Sequence, residues 1–121
     1  FLLTRQALDA VGGFEESYFA YNEDVDLSWR LLEHGFRLVY EPRARLSHKV
    51  PVDDPDPSPF QIVQRDRNRR RFVRLRLGAA ARARFAAWFY PTRVAHLARY
   101  VARRDWARAR AIWDGMRGDL A

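Results

Sequence analysis

Residues 12–50 read GGFEESYFAYNEDVDLSWRLLEHGFRLVYEPRARLSHKV, and the acidic run after Asn22 marks the start of a helix. Asn is a favourable N-cap residue, and negative charge in the first turn interacts favourably with the helix dipole. Gly35 is a typical helix end. Between these two signals, apolar residues recur at the spacing of one helix face. They are Val25, Trp29 and Leu32.

The segments on either side of this helix predict a mixed architecture. A short helix is expected before it, with Thr4 as its N-cap and a pair of glycines as its stop. Residues 36–42 and 43–50 favour two short strands. Helices and strands together predict an α/β fold for residues 1–50.

A proline-rich linker is expected at residues 51–59, PVDDPDPSP, because proline cannot continue a helix or a central strand. Residues 60–121 then show helical periodicity in an arginine-rich background. Pro91 is expected to break this helical run, and Asp105 to open a last amphipathic helix. The predicted apolar face of that helix consists of Trp106, Ala109, Ile112, Trp113 and Met116.

The charges divide the chain in the same way. The formal net charge is +7, from 22 Lys+Arg and 15 Asp+Glu. Residues 1–60 hold 6 basic and 11 acidic side chains, whereas residues 61–121 hold 16 basic and 4 acidic ones. An acidic zone can host metal or proton chemistry, and a basic zone can face anions. The basic residues are nearly all arginine, which binds phosphate through a planar fork.

Composition excludes several classes of protein. Hydrophobic residues make up 48% of the 121 residues, which is enough for a packed core and argues against disorder. The absence of cysteine excludes a disulfide scaffold, a zinc–thiolate site and a cysteine nucleophile. No apolar run reaches the length of a membrane span, and no signal peptide is expected. A first residue Phe1 in place of Met indicates a processed start or a piece of a longer protein.

The ordered motifs of residues 12–50 resemble the C-terminal half of family 2 glycosyltransferases with the GT-A fold, especially rhamnosyltransferase-like members. GGFEESYFAYNEDVDLSWR resembles the family's glycine–phenylalanine–acid lead-in and its Glu-Asp motif, and HGFRLVYEP resembles the strand that follows. Leu46-Ser47-His48 resembles the family's terminal histidine, and RNRRRF and ARAIWDGMRGDL resemble tail segments. The resemblance implies the C-terminal portion of a GT-A (nucleotide-diphospho-sugar transferase) fold, followed by an all-helical basic tail.

The resemblance also implies an activity: transfer of a hexosyl or rhamnosyl group, with inversion, from a nucleotide-sugar donor to a saccharide or lipid-linked acceptor. The acceptor hydroxyl needs a base, which by resemblance is Asp24, with Glu23 beside it to tune or position it. The leaving diphosphate needs Mg²⁺ or Mn²⁺, and by resemblance His48 reaches that metal. The residues expected at the acceptor pocket are Gly13, Phe14, Tyr18 and Tyr21.

Structural alternatives stand beside these roles. Acids in a first turn stabilise a helix without any catalysis, and Asp26 is interpreted as mostly structural. The aromatic residues around Tyr18 and Tyr21 either form a platform for a sugar ring or pack in the interior. Arg30 is expected to pair with an acid on its own helix rather than to approach the diphosphate.

The family's Asp-x-Asp motif is absent from its usual place upstream, and no glycine-rich phosphate loop is found in the chain. The acids of the linker, Asp53, Asp54 and Asp56, follow the histidine and are interpreted as solvated linker residues. The chain therefore resembles the acceptor-side half of an enzyme without its donor-binding half. We expect the isolated 121 residues to be inactive.

The basic tail is typical of a protein that lies on a membrane surface, because arginines interleave with Phe72, Leu75 and Leu77 and precede Trp88. This predicts a cytoplasmic enzyme, peripheral on the inner face of the cell membrane, whose acceptor is lipid-linked. Nucleic acid ranks lower as a partner, since no helix-turn-helix, zinc-finger or RNA-binding signature is found. The alternative function is a non-catalytic basic helical module that binds an anionic membrane surface or nucleic acid.

Overall fold

The computed structural model describes residues 2–47 and 56–117, and the regular elements within those two ranges are five α-helices. In chain order they are α1 (Arg5–Val11), α2 (Glu23–Glu33), α3 (Pro59–Arg76), α4 (Ala79–Ala102) and α5 (Trp106–Arg117).

The front of the chain is a pair of helices, α1 and α2, around a small core. The Thr4 hydroxyl caps α1 by accepting a hydrogen bond from the Ala7 amide at 3.1 Å, and Gly12 ends the helix at a φ of 73°. Ala7 of α1 packs with Leu27 and Leu31 of α2, all of them buried. The prediction that Val25 and Leu32 belong to the buried face of α2 was therefore wrong. Val25 and Leu32 are exposed, and Leu27 and Leu31 lie inside.

The tail is a bundle of three helices, in which α5 packs against both α3 and α4. Ser58 begins α3 with a capping box, in which Ser58 and Gln61 bond each other's backbone amides. The core joins Ile62, Tyr100 and Ile112, one from each helix, with Ala109. Asp105 opens α5 as predicted, but Trp106 and Trp113 are exposed, so the buried face of that helix differs from the predicted one.

Pro91 does not break the tail, because α4 continues through it from Ala79 to Ala102. A proline removes one backbone N–H from a helix, and this loss is outweighed here by packing on both sides of it. Phe89 is fully buried and stacks on Phe85 with ring centroids 4.9 Å apart, while Tyr100 lies in the tail core.

The two predicted strands are not formed in residues 36–47, so the α/β part of the expected fold is not seen in the part of the chain that the structure describes. A strand needs a partner to receive its backbone hydrogen bonds. Here a turn closed by the Ala44 amide and the Glu41 carbonyl, 3.1 Å apart, interrupts the segment. Val39 and Tyr40 are 79% and 87% exposed. The end of the second predicted strand, residues 48–50, lies outside the described residues.

Side chains from α3 join the tail to the front of the molecule. Phe72 packs edge-on against Trp29 of α2 with ring centroids 5.6 Å apart, and Arg71 donates to the Ser17 carbonyl at 2.9 Å. Arg70 donates to the carbonyl of Gly115 at 3.0 Å. Much of the arginine run of α3 therefore makes internal contacts and is not a free cationic surface.

None of the helices in residues 2–47 and 56–117 has the length and apolarity needed to cross a membrane.

Candidate active site

The predicted catalytic pair lies where it was expected, in the first turn of α2. The Asp24 side chain is exposed, and its Oδ1 accepts a hydrogen bond from the Val25 amide at 2.8 Å. In Glu23, the carboxylate atom Oε2 is buried and has no hydrogen-bond partner among the described residues. A buried polar atom of this kind is uncommon and is readily explained by a bound ligand or water. The turn thus combines an accessible carboxylate with an unsatisfied one.

The two residues before α2 have an unusual backbone. Tyr21 and Asn22 both have positive φ, 70° and 72°, although neither is glycine. Asparagine adopts this conformation more readily than most residues, but it is unfavourable for the bulky Tyr21. Such backbone strain is often found at functional sites, where the surrounding structure enforces it. Asn22 makes no side-chain cap, so the predicted capping bond is not formed.

Asn68 of α3 stabilises this strained turn from outside. Its side-chain Nδ2 donates to the carbonyl of Ala20 at 2.6 Å and to that of Tyr21 at 2.8 Å. Asn68 is itself buried. The backbone that leads into Glu23 and Asp24 is therefore positioned by a residue of the tail.

Asp26 is the structural centre of the site. It is fully buried and accepts hydrogen bonds from Arg30 at 2.9 Å and from Arg76 at 2.7 Å. Burial alone would raise the pKa of Asp26, but the hydrogen bonds from Arg76 and Arg30 outweigh it, so the pKa lies below its usual value. The structural interpretation of Asp26 and the pairing expected for Arg30 are both confirmed.

Arg30 also holds the glycine turn against α2. One end of its guanidinium donates to the carbonyl of Val11, and the other donates to the carbonyl of Gly13 at 2.7 Å. The same side chain thus connects the predicted acceptor loop, which includes Gly13 and the half-exposed Phe14, to Asp26.

The two tyrosines predicted at the acceptor pocket have different environments. Tyr18 is 4% exposed and its hydroxyl lies 3.4 Å from Asp26, so the packing alternative describes it. Burial, followed by the charge of Asp26, raises the pKa of Tyr18 to about 12. A buried ring cannot stack on a sugar. The ring of Tyr21 lies under the guanidinium of Arg65, 4.9 Å from its centroid.

The described residues contain no group of three or more acidic or histidine side chains arranged to hold a metal ion. His48, the predicted ligand, lies outside them, as do Asp53 and Asp54. The carboxylates of Glu23 and Asp24 therefore do not by themselves form a complete metal site.

The chain is similar in sequence to several known proteins. The chain is 48% identical over 58 residues to an N-acetylglucosaminyl-diphospho-decaprenol L-rhamnosyltransferase of Mycobacterium tuberculosis, covering 47% of this chain and 19% of that protein. It is 55% identical over 42 residues to a pre-mycofactocin glycosyltransferase of the same organism, covering 35% of this chain and 9% of the relative. The resemblance to family 2 glycosyltransferases is confirmed.

A third relative is the succinoglycan biosynthesis protein ExoA of Rhizobium meliloti, with 43% identity over an alignment of 53 positions that covers 37% of this chain and 16% of ExoA. The chain therefore spans less than a fifth of the length of these relatives. No family model matches the chain, and no solved structure matches it.

Two tail residues that support the candidate site, Asn68 and Arg76, were not predicted from the sequence. Both were included in an arginine-rich run interpreted as a surface feature. One available signal was Asn68 itself, a short amide within the basic run RDRNRRR. A second available signal was the group of three acids in the first turn of α2. Any of these acids that is buried needs a cationic partner, which the arginine-rich tail can supply.

Proposed function

We propose that this chain forms the acceptor side of an inverting glycosyltransferase active site, with Asp24 as the general base. The observation that carries the proposal is the exposed Asp24 carboxylate on a turn that is held in a strained conformation. The substrates proposed are a nucleotide-sugar donor and a saccharide or lipid-linked acceptor. The M. tuberculosis relative named as a rhamnosyltransferase acts on a lipid diphosphate, and this favours an acceptor of the same chemical class here.

In the proposed reaction, an acceptor hydroxyl attacks the anomeric carbon of the donor sugar. A new carbon–oxygen bond forms while the bond to the nucleoside diphosphate breaks, and the diphosphate leaves with the bonding electrons. Asp24 takes the hydroxyl proton, which makes the oxygen a better nucleophile. Attack from the face opposite the leaving group inverts the configuration. Nearby carboxylate charge also stabilises an oxocarbenium-like transition state, for which Glu23 is well situated.

Arg30 and Asn68 are proposed to position these groups. Arg30 fixes the glycine turn at Gly13, and Asn68 fixes the backbone before Glu23. Gly13 and Phe14 would then line the acceptor pocket next to Asp24. Such pre-organisation lowers the activation barrier because the reacting groups need not be ordered during the reaction.

A divalent cation, Mg²⁺ or Mn²⁺, is proposed to neutralise the leaving diphosphate, with His48 as one of its ligands. The described carboxylates do not complete such a site.

The test is the substitution Asp24→Asn in the full-length protein, because asparagine keeps the shape of the side chain and abolishes its basicity. We expect sugar transfer to fall by about a hundredfold or more, with folding and donor binding unchanged. Asp9→Asn is the matched control, since Asp9 is an exposed acid on α1. Undiminished transfer by Asp24→Asn would exclude Asp24 as the base. The isolated chain is expected to show no turnover with nucleotide sugars and Mn²⁺.

A second proposal concerns the tail, which we infer lies on an anionic membrane surface through the outer face of α4. Large apolar side chains of α4 are exposed, among them Trp88 at 55%, Val94 and Val101. Exposed arginines lie on either side of them along the chain, Arg84 in α4 and Arg104 just after it. Apolar side chains between cationic residues suit an interface with acidic lipids, here the inner face of the cell membrane.

Vesicle flotation tests this second proposal. The chain should float with phosphatidylserine vesicles and not with neutral phosphatidylcholine vesicles. Trp88→Ser should weaken the binding, whereas Trp106→Ser, an exposed tryptophan at the start of α5, should not. Binding to DNA without binding to vesicles would favour the nucleic-acid alternative instead.

A further inference from the structure

A cavity of about 230 Å³ lies in the tail, between α3 and α4, and neither Glu23 nor Asp24 lines it. Ile112 of α5 and the segment before α3 also contribute to its walls. Both long helices supply basic side chains to it. They are Arg65, Arg69, Arg93, His96 and Arg99.

Two carboxylates also line the cavity, and both have cationic partners. Asp66 is buried and lies 3.0 Å from Arg93, although its Oδ2 has no hydrogen-bond partner among the described residues. Asp56 lies 3.4 Å from Arg99, which also lines the cavity, and 3.0 Å from Arg103, which does not. The four arginines of the lining outnumber these two acids. A positive charge therefore remains in the cavity after the internal pairs are counted, which suits an anionic ligand.

Some donors in the cavity are not used by the protein. The Nε of Arg93 is buried and has no hydrogen-bond partner among the described residues. Arg69 approaches Asp66 only to 3.9 Å, which is beyond hydrogen-bond distance, and its side chain remains 41% exposed. Buried donors are almost always satisfied in proteins, so an unpaired guanidinium N–H indicates a missing acceptor.

We propose that this cavity binds a phosphate group through Arg69, Arg93 and His96. Guanidinium groups form charge-assisted, often bidentate hydrogen bonds with phosphate oxygens, and a neutral imidazole supplies one further N–H donor. The phosphate belongs either to a soluble ion such as pyrophosphate or to the headgroup of a lipid. Phosphate binding in this cavity is independent of the proposed sugar transfer.

His96 provides a direct readout of occupancy. Burial, followed by the charges of Arg93 and Arg99, lowers the pKa of His96, and the carboxylates Asp66 and Asp56 oppose this effect. A phosphate anion beside the ring would add negative charge and raise that pKa. The imidazole signals of His96, assigned with His96→Gln, can be followed by NMR during a titration.

The test is titration of the chain with inorganic phosphate and with pyrophosphate, followed by calorimetry and by the NMR signals of His96. We expect saturable binding, a raised pKa of His96 in the complex, and affinity about tenfold lower in Arg69→Gln. Arg69 is partly exposed, so this variant should fold, which circular dichroism would check. Arg110→Gln removes the same charge from an exposed position on α5 and should leave the affinity unchanged.

A second arm distinguishes the source of the phosphate. The chain is floated with phosphatidic acid vesicles, as wild type and as Arg69→Gln. If the wild type floats, the variant floats less, and free phosphate and pyrophosphate do not bind, then the ligand is a lipid headgroup. Failure of all three probes to bind would overturn the proposal. Binding that Arg69→Gln and Arg93→Gln leave unchanged would overturn it as well, because the ligand would then lie elsewhere.

Discussion

Arg76 of α3 forms two hydrogen bonds with the carboxylate of Asp26 on α2, from Nε at 2.7 Å and from Nη2 at 3.1 Å, although 50 positions separate the two residues. This contact joins α2, which carries the proposed catalytic residues Glu23 and Asp24, to the tail. Asp26 is fully buried, so its charge depends on these partners. The stability of the front of the molecule should therefore depend on the tail.

Substituting Asp26→Asn should destabilise the protein at neutral pH by about 2 kcal/mol, because Arg30 and Arg76 lose a shared buried anion. Urea denaturation measures the change in the free energy of unfolding. Glu41→Gln is the control, since Glu41 forms an exposed ion pair with Arg43. The control should unfold at the wild-type midpoint. Equal midpoints for Asp26→Asn and the wild type would contradict a stabilising role for the pair.

The effect of Asp26 should also depend on pH in a defined direction. Its pKa in the folded protein lies below the usual 3.8. Its contribution to stability is thus complete above that value and is lost as the pH falls through the lower, folded-state pKa. The difference in unfolding free energy between wild type and Asp26→Asn should shrink as denaturation is repeated below pH 3.8. A difference that stays constant with pH would argue against this assignment.

Asp66 should behave in the opposite way. Burial raises its pKa above the usual value, despite the opposing charges of Arg93 and Arg69. The carboxyl therefore binds its proton more tightly in the folded protein than in the unfolded chain, and the contribution of this group to stability increases as the pH falls through the raised pKa. Asp66→Asn at neutral pH should leave the thermal midpoint unchanged or raise it. If Asp66→Asn lowers the stability as much as Asp26→Asn does, the ion pair with Arg93 outweighs the cost of burying the charge of Asp66.

Gly115→Ala should separate α5 from α3. A Cβ atom at Gly115 would lie 2.9 Å from the Cβ of Asp66, closer than such atoms approach, and neither helix backbone can easily yield. We expect a loss of about 1–3 kcal/mol, even though alanine is the better helix former. Gly13→Ala serves as the comparison, because a Cβ there meets nothing within 4 Å. Thermal denaturation of both variants gives the measurement.

Asn68→Asp should release the turn before α2 while preserving the size of the side chain. Aspartate has no N–H to donate to the carbonyls of Ala20 and Tyr21. We expect faster amide hydrogen exchange at Glu23 and Asp24, and weaker sugar transfer by the full-length protein. Asn68→Gln can restore part of the effect if its longer amide reaches the same carbonyls. Unchanged exchange in Asn68→Asp would mean that the turn holds its conformation alone.

Local signals in the sequence predicted most of the helices, because caps and stops act within a few residues. Thr4, the acids after Asn22 and Asp105 each mark a helix that is present. The helix break predicted at Pro91 was wrong, because the packing of Phe89 and Tyr100 keeps α4 continuous. No local sequence pattern reveals that packing. The strands at 36–47 failed for a related reason, since a strand exists only with a neighbour to pair with.

The sequence predicted the position of Glu23 and Asp24 in the candidate site, but not the tail residues that hold the surrounding structure in place. The position of Glu23 and Asp24 at a helix start follows from their own neighbours along the chain. Their supports, Asn68 and Arg76, lie some 50 residues away along the chain, and periodicity gives no information about such contacts. The sequence favoured neither of two roles for Tyr18, a platform for a sugar ring or packing in the interior. Its hydrogen bond to Asp26 supports the packing role.

The segment around Leu38, Val39 and Tyr40 has practical importance for anyone purifying this chain. It presents large apolar side chains to solvent. Exposed apolar patches of this kind promote self-association as the protein concentration rises. Light scattering across a dilution series should therefore report larger particles in concentrated samples, and lysine replacements at Val39 and Tyr40 should keep the preparation monodisperse.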